Sequence, residues 1–285
     1  MEHVKIHRSI AKLSRMDMFY FDTKTKGPVI LCLHGRWGRA ETWYHFIQHY
    51  GKQYRIIAPD QRGHGLSSKP VTRYTSEEMA EDVIDLIRYL GLTSVILAGH
   101  SMGSNIAATC VAMHPEYFNG LALLDRTAAG PDCISSLPLK DLPHCDSVTK
   151  DWPPLFDSLA QAMTFLRQST ESEFSYQYFM NSLRETPEGY QMMFSTQAMA
   201  ANEEYYTGWF NLLPALTCPV LLISAKGYAA YSTKECFQKM QALIPNCIAH
   251  VMSHEDHNVQ LACKKEFYSY FDELLDRVSS AGSVR

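Results

Sequence analysis

The run Val95-Ile-Leu-Ala98 passes without a break into Gly99-His-Ser-Met-Gly103 and on into Ser104-Asn-Ile-Ala-Ala-Thr-Cys-Val-Ala-Met113. An apolar run of strand length, a turn bracketed by glycines and a helix-forming stretch together describe a buried strand that reverses sharply into a helix. The glycines allow that turn because no Cβ meets the neighbouring backbone, and the serine between them keeps its hydroxyl exposed at the strand's carboxyl end. The helix N-terminus behind it favours developing negative charge. Gly-x-Ser-x-Gly alone occurs by chance; the strand before it and the helix after it give it weight.

The same alternation runs along the chain. Val29-Ile-Leu-Cys-Leu33, Tyr54-Arg-Ile-Ile-Ala58, Leu121-Ala-Leu-Leu124, Val220-Leu-Leu-Ile223 and Ile248-Ala-His-Val-Met252 are apolar on both faces or nearly so, as central parallel strands must be. Between them, residues 76–90 place Met79, Val83, Leu86, Ile87 and Leu90 on one helical face, with Thr75 or Ser76 as the cap. Met18-Phe-Tyr-Phe21 and a piece near Val4 read as an antiparallel edge. The expected architecture is an α/β fold, a mostly parallel central sheet with helices on both faces.

The spacing breaks once. Residues 125–219 separate two strands, far more than a crossover helix needs. Residues 128–212 are therefore expected to form an inserted helical cap, on a core made of 1–127 and 213–278, with 279–285 a flexible tail. Within the cap, 130–152 reads as loop, and 155–167, 173–184 and 187–201 read as helices. Its many aromatic residues are expected to roof the site as well as to pack on the core.

With 285 residues, 46% of them hydrophobic, the chain can bury one large core. A net charge of −4, from 26 basic and 30 acidic residues, is too close to balance to imply binding to nucleic acid or a membrane surface. No stretch approaches the ~20 apolar residues of a membrane span, and residues 1–14 lack the apolar core of a signal sequence. The expected setting is cytoplasmic, with a small-molecule substrate, no nucleic-acid or membrane partner, and a monomer or homodimer. Eight scattered cysteines, with no C-x-x-C pair and no zinc-spaced Cys/His set, read as reduced packing residues, so neither disulfide framework, metal nor cofactor is expected.

Serine is a weak nucleophile at neutral pH and needs a base. Of twelve histidines, His257 is the best placed: in Ser253-His-Glu-Asp-His-Asn258 it follows the last core strand and reaches the same sheet edge as Ser101. His254 is second. His250 reads as a core residue within its strand, His64 in Asp60-Gln-Arg-Gly-His-Gly65 as a turn former, and His34 and His100 as neighbours of the site. A carboxylate should fix the imidazole tautomer and stabilise the imidazolium. The loop after Val220-Leu-Leu-Ile223, Ser224-Ala-Lys-Gly-Tyr-Ala-Ala-Tyr231, contains no acid, and Glu235 beyond it is accounted for by a capping box, Ser232-Thr-Lys-Glu235. Asp125 ends the preceding strand at the carboxyl edge, keeps the order Ser, Asp, His, and is the expected acid. The alternative is a loop-anchoring Asp125, with Glu255 or Asp256 assisting His257.

Acyl transfer also needs donors for an oxyanion. The expected pair is the amide of Met102, after the nucleophile, and that of Arg36 in Leu33-His-Gly-Arg-Trp-Gly38. Arg36, Trp37, His100 and Arg126 would then lie beside the reacting centre, where a guanidinium can hold a substrate carboxylate. Arg167 in the cap is a weaker candidate for that role.

Leu33-His-Gly35, Asp60-Gln-Arg-Gly-His-Gly65, Gly99-His-Ser-Met-Gly103 and His257-Asn258 together resemble the α/β-hydrolase superfamily over nearly the whole chain outside the cap. The resemblance implies the α/β-hydrolase fold but no one substrate. A serine at the nucleophile position speaks against epoxide hydrolases and haloalkane dehalogenases, which use a carboxylate there. The acid position departs from the commoner pattern and resembles a minority of members that place it one strand earlier. The expected activity is a carboxylesterase-like serine hydrolase with a Ser-His-Asp triad, cleaving a small-molecule ester, amide, lactone or thioester through an acyl-enzyme on Ser101. A carboxylate-bearing substrate is a further expectation. Two other readings stay open: a cofactor-independent dioxygenase of the same fold using the His257/Asp125 pair, and a non-catalytic ligand receptor.

Overall fold

The computed structural model describes residues 3–228 and 233–282. In chain order its strands are β1 (His7–Lys12), β2 (Asp17–Asp22), β3 (Val29–Leu33), β4 (Arg55–Pro59), β5 (Val95–His100), β6 (Phe118–Leu124), β7 (Leu183–Thr186), β8 (Gly189–Met192), β9 (Val220–Ser224) and β10 (Cys247–Val251). Eight of them form one sheet in the order β1-β2-β4-β3-β5-β6-β9-β10. Pairing is parallel from β4 to β10 and antiparallel at β1-β2 and β2-β4. The antiparallel edge begins at His7, beyond the expected piece near Val4.

Helices α1 (Tyr44–Tyr50), α2 (Ser76–Tyr89), α3 (Met102–Met113), α4 (Leu159–Gln168), α5 (Glu173–Met180), α6 (Thr196–Glu204), α7 (Lys234–Leu243), α8 (Val259–Ala262) and α9 (Lys264–Gly282) complete the chain. Alternate strand residues serve the two faces, as the pleat requires. Ile30, Cys32, Ile96 and Ala98 pack with Phe46 of α1 and Phe267 and Phe271 of α9. Leu31, Leu33 and Leu97 pack with Met79 of α2, Ile106 of α3 and Met240 of α7. Both sheet faces are therefore dry, which is why these strands read as continuous apolar runs. The α2 cap is Thr75, whose side chain accepts from Glu78 N at 3.2 Å.

Four expectations are corrected. Residues 187–201, read as a helix, begin with half of the β7-β8 hairpin. Thr186-Pro187-Glu188-Gly189 forms its turn, and Gly189, at φ +141°, is where a Cβ would stand 2.3 Å from the Phe156 carbonyl oxygen. Tyr190 then pairs with Phe156 through two 2.8 Å backbone hydrogen bonds, leaving helix only at α6. Residues 279–282, assigned to a flexible tail, are the last turn of α9; 283–285 lie outside the described residues. His250 is half-buried rather than a core residue: β10 is a sheet edge, and the ring stacks on Tyr270 at 3.8 Å while Nε2 meets Glu273 at 2.9 Å. The α7 cap is Thr233, accepting from Cys236 N at 3.1 Å, whereas Ser232 of the expected capping box lies outside the described residues.

Among the described residues, no helix is long and apolar enough to cross a membrane, and no cluster of His, Cys, Asp and Glu has a metal-binding arrangement. Their cysteines are free.

Candidate active site

Adjacent parallel strands deliver Ser101 and Asp125 to one edge. His100 pairs with Leu124 across β5 and β6, so the next residue on each strand leaves the sheet at the same level. The Ser101 amide donates to the Leu124 carbonyl at 2.9 Å and that of Asp125 to Ile223 at 2.8 Å. Ser101 has φ 53° and ψ −119°, a conformation costing a non-glycine residue about 1–3 kcal/mol. The turn is held from beneath by Ser104, whose hydroxyl donates to the Gly99 carbonyl at 2.7 Å and accepts from the Leu124 amide at 2.9 Å.

Asp125 is buried, and its Oδ2 lies 2.6 Å from His257 Nδ1. Its Oδ1 accepts from the Ala225 amide at 2.8 Å and from Ser224 Oγ at 3.3 Å. The β9 exit, which carries no acid, thus supplies donors to the acid beside it. These bonds offset the desolvation that a buried carboxylate would otherwise suffer. With Nδ1–H directed at Asp125, the basic lone pair of neutral His257 is on Nε2.

Three buried histidines frame this centre. His100 Nε2 donates to the His257 carbonyl at 2.9 Å, tying the His257 loop to the turn that carries Ser101. Burial, with His257 alongside, lowers the His100 pKa to about 3, so it is neutral. His34 Nδ1 donates to the Gly35 carbonyl at 2.8 Å, and its Nε2 accepts from the Gln61 amide at 2.9 Å. His64 Nδ1 donates to the Arg62 carbonyl at 2.8 Å, and its Nε2 accepts from the Trp37 amide at 3.2 Å. The turn role expected of His64 therefore extends to holding the loop after β3.

Burial lowers the His64 pKa to about 4, which makes that loop acid-sensitive. The unfolded chain binds this proton near pH 6.5 and the folded chain only near 4, so stability is present above 6.5 and falls as pH drops towards 4. The stability difference between the parent and His64→Gln should shrink by about 3 kcal/mol between pH 7 and pH 4. Urea unfolding of both proteins at the two pH values measures it; a constant difference contradicts a buried neutral His64.

Trp37, at φ 65°, joins the loop after β3 to the segment between β6 and β9: its indole N–H donates to Asp146 Oδ2 at 3.3 Å and its carbonyl accepts from Ser182 Oγ at 2.7 Å. Arg36 lies over the Trp37 ring at 4.5 Å and Arg126 over Tyr206 at 4.6 Å. Both guanidinium-bearing residues line a cavity with Ser101 and Met102.

Other candidates lie apart. His254 is exposed and its Nδ1 accepts from the Asp256 amide at 3.0 Å. Glu255 is exposed, and Asp256 accepts from the Asn258 amide at 2.7 Å and bonds to Ser172 at the start of α5. Glu235 is exposed on α7, and Arg167 pairs with Glu173 at 2.9 Å. Sequence reasoning missed the Ser224 and Ala225 donors, a hundred residues from their acceptor, and Tyr178 of α5, whose hydroxyl donates to the Arg36 carbonyl at 3.2 Å. A Ser-Ala pair ending a strand that lacks its acid was the available signal for the first; none marked the second.

The profile of the alpha/beta hydrolase fold matches residues 28–261. The chain belongs to the α/β-hydrolase family. This α/β-hydrolase is 36% identical over 104 residues to the 2-(acetamidomethylene)succinate hydrolase of Mesorhizobium japonicum, covering 36% of this chain and 37% of that one. It is 34% identical over 119 residues to the (E)-2-((N-methylformamido)methylene)succinate hydrolase of Acinetobacter baylyi, covering 40% and 45%. These matches thus span less than half the length of either relative. In structure it resembles the E-2-(acetamidomethylene)succinate hydrolase with a TM-score of 0.81 at 22% identity, covering 95% of this chain and all of that one, which bears on the fold.

Proposed function

We propose that this α/β-hydrolase is a serine hydrolase of small acyl compounds, in which Ser101 is the nucleophile, His257 the general base and Asp125 the acid. The 2.6 Å contact between His257 Nδ1 and Asp125 Oδ2 carries the reading. His257 Nε2 takes the Ser101 proton as Oγ bonds to the carbonyl carbon, and the amides of Arg36 and Met102 stabilise the oxyanion. Collapse expels the leaving atom with the proton held on His257. Water then gives a proton to His257 and its oxygen to the acyl carbon, and Ser101 leaves with that proton.

An ester, amide, lactone or thioester fits this chemistry. The cavity's guanidinium groups and the substituted succinates for which two relatives are named favour a substrate bearing a carboxylate. Trp37 and His100 bound its path. We further assign residues 128–212 to a cap over a core of 1–127 and 213–278, and expect a cytoplasmic monomer or homodimer without nucleic-acid or membrane partner. A fluorophosphonate probe should label Ser101, located by peptide mass mapping, and Ser101→Ala should take no label. Labelling that persists in Ser101→Ala overturns the assignment.

A further inference from the structure

Ser101 stands between two cavities that share Arg36 and Trp37 but differ in size and chemistry. The larger, about 170 Å³, is bounded by Met102, Asn105, Arg126 and Tyr206. The smaller, about 60 Å³, is bounded by His100, Tyr178, His257 and Asn258. Their unequal size makes the direction in which a substrate lies across Ser101 a question with a structural answer.

Asn105 carries the most specific signal in the larger cavity. It lies in the first turn of α3, just after Ser101, and the two residues line the same cavity. The residue is 5% exposed, and its Nδ2 donates to Ser76 Oγ at 2.6 Å. With the amide in this orientation, Oδ1 is buried without a hydrogen-bond partner among the described residues. A buried acceptor left unpaired is unfavourable, and a ligand N–H or O–H placed there recovers the loss. Arg126 on the same lining adds a positive charge. Glu203, which also lines the cavity, accepts from the Ser147 amide at 2.7 Å.

The direction follows from acyl transfer and rests on the serine-hydrolase reading above. The leaving atom receives its proton from His257, so the leaving group departs on the histidine's side, where the small cavity lies. The acyl chain extends the other way, past Met102.

We propose that the larger cavity holds the acyl half of the substrate, a short chain with a carboxylate towards Arg126 and an N–H or O–H donor towards Asn105 Oδ1. The smaller cavity holds a compact leaving group. Substrate selection therefore comes from the acyl side by charge and hydrogen bonding, and from the leaving side by size.

The test is kcat/KM on four esters: monomethyl succinate, its 2-hydroxy analogue, methyl valerate and monobenzyl succinate. Methyl and benzyl alkoxides are similar leaving groups, so the methyl monoester should exceed the benzyl one by about tenfold or more through fit alone. Monomethyl succinate should exceed methyl valerate by a similar factor, and Arg126→Met should remove that preference. The hydroxylated ester should exceed the plain one severalfold, and Asn105→Leu should abolish this while Ser101 still takes a fluorophosphonate label. If Asn105→Leu does not fold, the charge and size comparisons on the parent decide the proposal. A benzyl ester equal to the methyl ester, a preference for methyl valerate, or an unchanged hydroxyl preference in a folded Asn105→Leu overturns the partition. Labelling of Ser101 without turnover of any succinate monoester overturns the partition alone. Neither labelling nor turnover overturns the hydrolase reading and the partition with it.

Discussion

Replacing Asp125 by Asn should lower kcat on an acyl ester by about 10⁴-fold with little change in KM, while Glu235→Gln should leave both within a factor of two. The two replacements remove one negative charge each, so their contrast isolates position. Asp125 receives His257 Nδ1 on one oxygen and the Ala225 amide on the other. An asparagine there has one oxygen for those two donors. If the oxygen stays on Ala225, the amide NH₂ faces Nδ1 and forces the proton onto Nε2, which can then no longer accept from Ser101. Glu235 lies exposed in the first turn of α7, where its carboxylate meets the helix dipole. Steady-state kinetics on the two variants, with thermal unfolding as a check that Asp125→Asn folds, measures the contrast. A fall of less than tenfold for Asp125→Asn would falsify its place in the triad, and a large fall for Glu235→Gln would return the acid to the commoner side of β9.

Much of this centre can be read without coordinates because each part sits at a strand end, and strand ends are legible where both faces of the sheet are covered. Ser101 and Asp125 follow apolar runs whose burial leaves no choice about which end they occupy. Glu235, set aside on the sequence, lies exposed in the first turn of α7, which is capped by Thr233 and not by the expected Ser232. What stays hidden is what the opposite strand offers. Ser224 and Ala225 look like an incomplete acid loop until the register of β6 on β9 sets them against Asp125. The hairpin was lost differently. Residues 187–201 read as one helix, yet Thr186-Pro187-Glu188-Gly189 is a turn, and Gly189 at φ +141° can hardly carry a side chain. His250 misleads for a related reason: an apolar strand implies a core position unless the strand is known to be an edge.

The glycine that closes the Ser101 turn should resist replacement for a reason separate from backbone freedom. Gly103 is not among the residues with positive φ. Alanine would even favour the start of α3 by up to about 1 kcal/mol. Yet a Cβ at this position would lie 2.5 Å from the Leu33 carbonyl oxygen and 2.9 Å from that of His34. Both obstacles are backbone, at the end of β3 where the loop carrying Arg36 begins, so no rotamer change relieves them. The helix and the loop must separate, and overpacking of this kind costs about 1–3 kcal/mol. If the Arg36 amide serves the oxyanion as proposed, a displacement of about 1 Å in its loop would also lower the rate by about 10²-fold. Gly103→Ala should therefore lose both stability and kcat. Gly91 provides the opposite case: it has φ +65° with nothing within 4 Å of the added carbon, and it lies between α2 and β5, at the other end of that strand from Ser101. Gly91→Ala should cost about 1–2 kcal/mol through backbone strain and leave kcat unchanged. Chemical unfolding and steady-state kinetics on both variants separate the two origins. Equal kcat for Gly103→Ala and the parent would mean that the α3 N-terminus and the Arg36 loop do not form one unit around Ser101.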